Sequence, residues 1–293
     1  MWIDENTSFI VQGLSGRAAR FYTRKWLEQG LVIQGGVSPK NGGEKVAGKP
    51  IFSSIQEAKK AFSIDASFVF VPKEQFKYAV EEAVQEEIPW IISFTKDVAL
   101  SDMLDSKKAL KNSKSRMIGP SSSGVIFPGM FSAGLMPTTI YQPGSIGIIS
   151  RSASLGYEAA FQLKKVGLGV SMHLCLGEDP ILGEDFLSAL PLLLEDTRTK
   201  ALLILGEGGD AVDLSICNGI ESMQKKPIAL YIPRRGKLSP KSTESKGLMY
   251  HCYEAISSKI TERKNPSFLY IEDMQDIGHK LYLLMQTVKE KAP

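Results

Sequence analysis

The chain has 293 residues, long enough for two domains and a sizeable core. Hydrophobic residues make up 43% and charged residues 23%, a composition that excludes a disordered chain. Lys and Arg number 35 against 32 Asp and Glu, so the net charge is +3. That excess is too small for a nucleic-acid binder and suits an anionic small ligand. The three cysteines, Cys175, Cys217 and Cys252, include no C-x-x-C pair, so neither a disulfide framework nor a zinc site is expected. Reduced thiols imply an intracellular setting. Met1 to Ser8 carries two acids and does not read as a signal peptide. No apolar run approaches the ~20 residues of a membrane span, so no membrane partner is expected. The expected location is cytoplasmic, or the mitochondrial matrix in a eukaryote, although no transit peptide is seen.

Short apolar runs alternate with amphipathic stretches along the chain. Phe9 to Gln12 predicts a strand that ends in the turn Gly13-Leu14-Ser15-Gly16, and Ala18 to Gln29 predicts a helix. Leu31 to Ile33 is a second strand, followed by a glycine-rich loop from Gly35 to Gly43. Ile55 to Phe62 reads as a helix, Ser67 to Val71 as a strand, Glu74 to Glu87 as a helix and Trp90 to Phe94 as a strand. The basic run Lys107 to Arg116 reads as a solvated helix face. An irregular Pro- and Gly-containing stretch after Met117 places a domain junction near residue 126. A second alternation follows: strands at Ile146 to Ser150, Val170 to Leu176, Ala201 to Leu205 and Pro227 to Ile232. Helices at Leu155 to Lys165, Asp185 to Glu195, Asp213 to Gln224 and Ile277 to Lys289 connect or close them. The rhythm predicts an α/β protein with parallel sheets and right-handed crossovers.

Three motifs offer chemistry. In the turn Gly13 to Gly16, backbone N–H groups can approach a phosphate at a helix N-terminus, and Arg17 offers a bidentate partner. A plain tight connection is the simpler alternative, because Ala18 and Ala19 stand where a full G-x-G-x-x-G would place glycines. The loop Gly35 to Gly43 carries Lys40 and Asn41 at the carboxyl end of a strand, where open α/β sheets bind ligands. The string Ser150 to Ala159 delivers hydroxyls to another helix N-terminus. Only three histidines exist: His173 in a predicted buried strand, His279 at the start of the terminal helix, and His251 after a polar loop. No Walker P-loop, G-x-S-x-G elbow or H-E-x-x-H is present.

Taken together these residues resemble the α subunit of succinyl-CoA synthetase (succinate–CoA ligase). The markers are Gln12-Gly13, Gly35-Gly36-Val37-Ser38-Pro39, Asp102-Met103-Leu104 and Met117-Ile118-Gly119-Pro120. Gly124-Val125-Ile126, Ser150 to Ala159, Asp179-Pro180, Gly206-Glu207 and Asp276-Ile277-Gly278 complete the set. The resemblance implies a Rossmann-like CoA-binding domain over 1–126 and a flavodoxin-like ligase domain over 127–293. It implies that Ser15, Gly16, Arg17 and Ala18 meet the CoA phosphates. Lys40, Asn41, Phe94, Thr95 and Lys96 would line the rest of the CoA site. Ser152, Ala153 and Ser154 would open a helix facing a phosphohistidine, with Tyr157 near the subunit contact. His251 would be the phosphorylated residue and Glu207 would orient it. CoA is then a substrate, and Mg-nucleotide is expected on a β subunit of ATP-grasp fold; no metal site is expected on this chain.

The sequence departs from the family pattern in a cluster. The family's CoA lysine falls at Asn41, and the glutamate of its Ile-Thr-Glu is Lys96. Its Gly-Gly-Asp-Pro reads Gly177-Glu178-Asp179-Pro180. Its Gly-His-Ala-Gly-Ala has as its nearest match Tyr250-His251-Cys252-Tyr253-Glu254. Two readings stand side by side: a working ligase subunit, and a degenerate paralogue that serves as a CoA-binding or regulatory subunit.

Overall fold

The computed structural model describes residues 2–206, 226–233 and 268–290, with side chains to residue 287. The expected helix at Asp213 to Gln224 lies outside the described residues. The chain divides into two compact units: Met1–Ile126 with Met130–Met136 and Cys175–Asp185, and Phe127–Gly129 with Pro137–Leu174 and Phe186–Pro293.

In the first unit, β1 (Ser8–Gln12) runs through a turn into α1 (Arg17–Glu28) and returns as β2 (Val32–Val37). A short antiparallel pair, β3 (Lys45–Val46) and β4 (Lys49–Phe52), leads to α2 (Ile55–Lys59). β5 (Ala66–Val69), α3 (Phe76–Gln85), β6 (Trp90–Ser93), α4 (Leu100–Lys111) and β7 (Arg116–Ile118) follow. The sheet order is β3-β4-β2-β1-β5-β6-β7, and every pairing except β3 with β4 is parallel. Without the edge hairpin strand β3, this is the 3-2-1-4-5-6 order of a dinucleotide-binding sheet, whose direction of winding reverses between β1 and β5. Two further strands, β8 (Gly124–Phe127) and β9 (Phe131–Gly134), adjoin one another.

The central strands β1, β5 and β6 are buried at every position, which is why they read as continuous apolar runs rather than alternating ones. Successive side chains of β1 serve opposite faces. Ile10 packs with Ile55, Phe76 and Val80 from α2 and α3. Phe9 stacks on Phe68 (centroids 4.4 Å apart), and Phe68 stacks on Trp26 of α1 at 4.1 Å. Trp26 is buried, and its indole Nε1 donates to the Gly134 carbonyl at 2.8 Å, so its one polar atom is satisfied.

The basic run does not behave as a uniform solvated face. α4 ends at Lys111, and the Lys107 ammonium donates to the Leu182 carbonyl at 2.7 Å. Arg116 begins β7 and grips Glu184 bidentately at 2.9 and 2.6 Å, while its guanidinium lies over the Trp90 ring. Gly35, Gly36 and Val37, expected in a loop, are the last residues of β2.

In the second unit, β10 (Pro143–Ser150) passes into α5 (Ala153–Lys165), followed by β11 (Val170–Cys175), α6 (Phe186–Glu195) and β12 (Ala201–Leu205). β13 (Ile228–Tyr231), β14 (Phe268–Ile271) and α7 (Ile277–Glu290) complete it. The strand order β14-β13-β12-β10-β11 is that of a flavodoxin-like sheet, with β10 to β12, β12 to β13 and β13 to β14 parallel. α5 and α7 meet at Gln162, whose side chain donates to the Met274 carbonyl and accepts from Gly278 N–H. No described helix is long and apolar enough to cross a membrane.

Truncating the α1 anchor tests this packing. Trp26→Ala should destabilise the protein by roughly 3–5 kcal/mol, and Trp26→Phe by about 1–3 kcal/mol through the orphaned Gly134 carbonyl. Denaturant midpoints check it; a Trp26→Ala loss below 1 kcal/mol would contradict the packing.

Candidate functional site

The site begins where β1 ends. Gly13 takes φ +83°, and a Cβ there would lie 2.9 Å from the Phe70 carbonyl oxygen, so both the backbone conformation and the space demand glycine. Its N–H donates to Val37 O at 2.8 Å, and its own carbonyl accepts from Gly16 N–H at 3.0 Å. The chain is thus turned sharply into α1. Gly16 is the N-cap, with extended backbone and no side-chain cap, and no acid occupies the first turn of α1. The first N–H groups of α1 and the positive end of its dipole therefore meet no carboxylate from that turn itself.

Over this turn lies a cleft of about 780 Å³. It sits at the carboxyl ends of β1, β2 and β5, across the point where the sheet reverses its winding. Ser15 and Gly16 line one side and Ser38 to Asn41 the other, with Phe70 to Pro72 and one face of α3 completing it. Gly36 lets the two loops close up, because a Cβ there would overlap the Leu14 side chain. A chain of side-chain bonds fixes the rim. Ser15 Oγ lies 3.1 Å from Ser38 Oγ, Ser38 Oγ donates to Asn41 Oδ1 at 3.0 Å, and Asn41 Nδ2 donates to Glu44 at 2.9 Å. The Asn41 carboxamide is thereby committed, and Lys40 is exposed.

The floor holds two polar residues that the motifs did not single out as site residues. Gln12 is buried; its Oε1 accepts from Ser67 Oγ, and its Nε2 donates to the Ala79 carbonyl and to Glu82. The second oxygen of Glu82 accepts from Ile55 N–H at the start of α2, at 2.8 Å. Glu82 hides in the sequence among the other acids of an amphipathic helix, and its partner at Ile55 is 27 residues away.

The sequence-predicted residues therefore fall into groups. Ser15, Gly16, Lys40 and Asn41 share the cleft. Arg17 lies on an adjoining groove that also includes Ser15, and Ala18 is exposed on α1. Phe94, Thr95 and Lys96 follow β6 and are not among the residues lining the cleft. Phe94 is buried against Phe68 and Phe70, Thr95 Oγ1 donates to the Val71 carbonyl at 2.9 Å, and Lys96 is exposed.

In the second unit, Ser152 is the N-cap of α5 with extended backbone and no side-chain cap bond; its hydroxyl lies 3.0 Å from that of Ser154. Ala153 starts the helix and Tyr157 is half-buried one turn on. Beneath them His173 is fully buried in β11, with Ser150 Oγ 2.8 Å from Nε2 and Tyr141 OH 2.6 Å from Nδ1. Gly156 rests α5 directly on the imidazole, since a Cβ there would overlap the ring. Burial lowers the His173 pKa to about 3, so the ring is neutral. His279 is exposed on α7. Glu207 and His251 lie outside the described residues. Among the described residues, no cluster of three or more His, Cys, Asp or Glu is placed to hold a metal ion.

A CoA binding domain matches residues 4–96 and a CoA-ligase domain residues 149–232. The succinate–CoA ligase [ADP-forming] subunit alpha of Staphylococcus epidermidis is 34% identical over 79% of this chain and 77% of its own length. Subunit alpha 2 of the same enzyme from Archaeoglobus fulgidus is 37% identical over 78% of this chain and 80% of its own length. Among solved structures, ATP citrate lyase from Methanothrix soehngenii, in complex with citrate and coenzyme A, shares the fold. Its TM-score is 0.77 at 18% identity over 99% of this chain, which spans about half of that longer chain (51%). The dinucleotide-forming acetyl-coenzyme A synthetase 1 of Ca. Korarchaeum cryptofilum follows at TM-score 0.70 and 15% identity, over 95% of this chain and 60% of its own.

The depressed His173 pKa makes a pH prediction. The unfolded imidazole takes up a proton near pH 6.5 that the folded one refuses. The associated stability is full above pH 6.5 and falls as the pH drops towards about 3. Between pH 7 and pH 5 the wild-type protein should lose about 2 kcal/mol more than His173→Gln. Denaturant titrations at the two pH values measure this; equal losses would contradict a neutral buried ring.

Proposed function

The chain belongs to the succinate–CoA ligase α-subunit family of CoA ligases, and from that premise we propose that it binds CoA and carries the phosphoryl-accepting histidine of an acid–thiol ligase. The observation that carries the reading is the cleft over the Gly13–Gly16 turn, at the winding reversal of the first sheet. There the uncapped N–H groups of α1 are suited to the CoA pyrophosphate. The 1–126 segment would be the CoA-binding domain and 127–293 the ligase domain.

In the proposed reaction, a phosphate oxygen attacks the thioester carbonyl of succinyl-CoA and the CoA thiolate leaves, giving succinyl phosphate. A nitrogen of His251 then attacks phosphorus and succinate leaves. The phosphohistidine finally passes its phosphoryl group to a nucleoside diphosphate. Glu207 would hold the reactive tautomer of His251, and the N-terminus of α5 at Ser152 to Ser154 would stabilise phosphoryl charge. The Mg-nucleotide would bind a β subunit of ATP-grasp fold, for which Tyr157 is a proposed contact.

A second reading, a CoA-binding regulatory paralogue, is favoured by the residues around the proposed nucleophile. Tyr250 precedes His251 and Glu254 follows it by three residues in sequence, and a carboxylate so near in the chain to the proposed nucleophile disfavours a phosphoryl group by like-charge repulsion. The two readings separate cleanly. In the complex with its β subunit, labelled nucleoside triphosphate should leave acid-labile, base-stable phosphate on this chain, and His251→Asn should abolish it. Bound CoA without such label, or label that survives the substitution, would remove the ligase reading and leave the regulatory one.

A further inference from the structure

The N-terminus of α5 is held only weakly by its own residues. Its N-cap Ser152 makes no side-chain cap bond, and the first closing bond, from Gly156 N–H to the Ser152 carbonyl, is long at 3.4 Å. Firmer support lies beneath. The Gly156 backbone rests on the His173 imidazole, where a Cβ would overlap the ring. The ring is tied at both nitrogens, with Nε2 2.8 Å from Ser150 Oγ and Nδ1 2.6 Å from Tyr141 OH. A neutral imidazole has one N–H and one lone pair, and each hydroxyl can give or take, so both contacts are satisfied in either tautomer. Ser150, Tyr141 and His173 are all buried. Ser150 is also the last residue of β10, two positions before the cap, so the ring joins the first turn of α5 to the strand that delivers it. An apolar side chain would fill this space without the cost of burying an imidazole, a cost visible in the pKa lowered to about 3. The polar seat adds direction, because two hydrogen bonds fix the ring on which Gly156 stands.

We propose that His173 is a positioning residue for phosphoryl transfer, seating the first turn of α5 at the height where its N-terminal N–H groups meet the phosphoryl group. The proposal rests on the ligase reading above, in which that helix end stabilises phosphoryl charge, and adds to it a residue that never touches substrate. The neutral ring contributes position and no charge. Position matters here because a misplacement of about 1 Å costs on the order of 10²-fold in rate.

The test is steady-state kinetics of the complex with its β subunit, run from succinyl-CoA to nucleoside triphosphate, with inorganic phosphate and succinyl-CoA varied separately. Gly156→Ala pushes the turn off the ring and should raise the phosphate KM by about tenfold or more, with the succinyl-CoA KM within about twofold of the wild type. Gly156→Ala/His173→Ala empties the seat under the added methyl group and should return the phosphate KM to within about threefold of the wild type. His173→Gln keeps a hydrogen-bonding amide but removes the ring, and should raise the phosphate KM by about threefold. This milder variant carries the test where either Gly156 variant fails to fold. A ring that only fills the core would change stability and the amount of folded complex and leave the phosphate KM unchanged; that result overturns the proposal. So do phosphate and succinyl-CoA KM values that rise together, or a folded double variant that stays impaired. A wild-type complex without turnover fails the ligase reading itself and takes this inference with it.

Discussion

The first unit depends on one close approach: the backbone of Gly13 against the carbonyl of Phe70. With φ at +83° and no room for a Cβ, the chain leaves β1 at an angle that aims the axis of α1 at the cleft. The same turn lets Gly13 bond to Val37, which draws the end of β2 alongside and brings the Ser38 to Asn41 loop to the rim. Gly36 completes the approach by leaving space for Leu14. The cleft follows from these contacts, because β1, β2 and β5 end together where the sheet changes its direction of winding.

Both units use the same device with different supports. In each, a fully or mostly buried parallel strand ends in a short turn that opens a helix with no side-chain cap bond, after Gln12 in one and after Ser150 in the other. The first turn is held by backbone packing and is open to an anion. The second is seated on a neutral, fully buried imidazole bonded to Tyr141 and Ser150, with Gly156 lying on the ring. A charged imidazole in that seat would be badly desolvated, so the support itself contributes no charge to the helix end. Glu82 shows the opposite arrangement, a carboxylate kept in the cleft floor by N–H donors from Gln12 and Ile55.

Much of the fold was legible because the central strands are buried on both faces, so that Phe9 to Gln12, Trp90 to Phe94 and Ala201 to Leu205 stand out as apolar runs. The turn at Gly13 was legible too, since its glycines follow a strand and precede a helix. What escaped local pattern was set by distant contacts. Gly35 reads as loop but belongs to β2, where a Cβ would lie 2.6 Å from the Pro50 carbonyl. Arg116 reads as part of a charge run but is held by Glu184, 68 residues later. The short pair β3 and β4 carries too little apolar pattern to announce itself. In the site, Gln12 and Glu82 were hidden because their partners lie 27 to 70 residues away.

The central claim is that CoA lies across the winding reversal of the first sheet, on the turn between β1 and α1. Hydrogen exchange of the full chain with and without saturating CoA tests it most directly. The account predicts slowed exchange concentrated at the amides of residues 13–18 and 36–41. Protection confined to the second unit, or bound CoA that leaves the 13–18 amides unchanged, would contradict it.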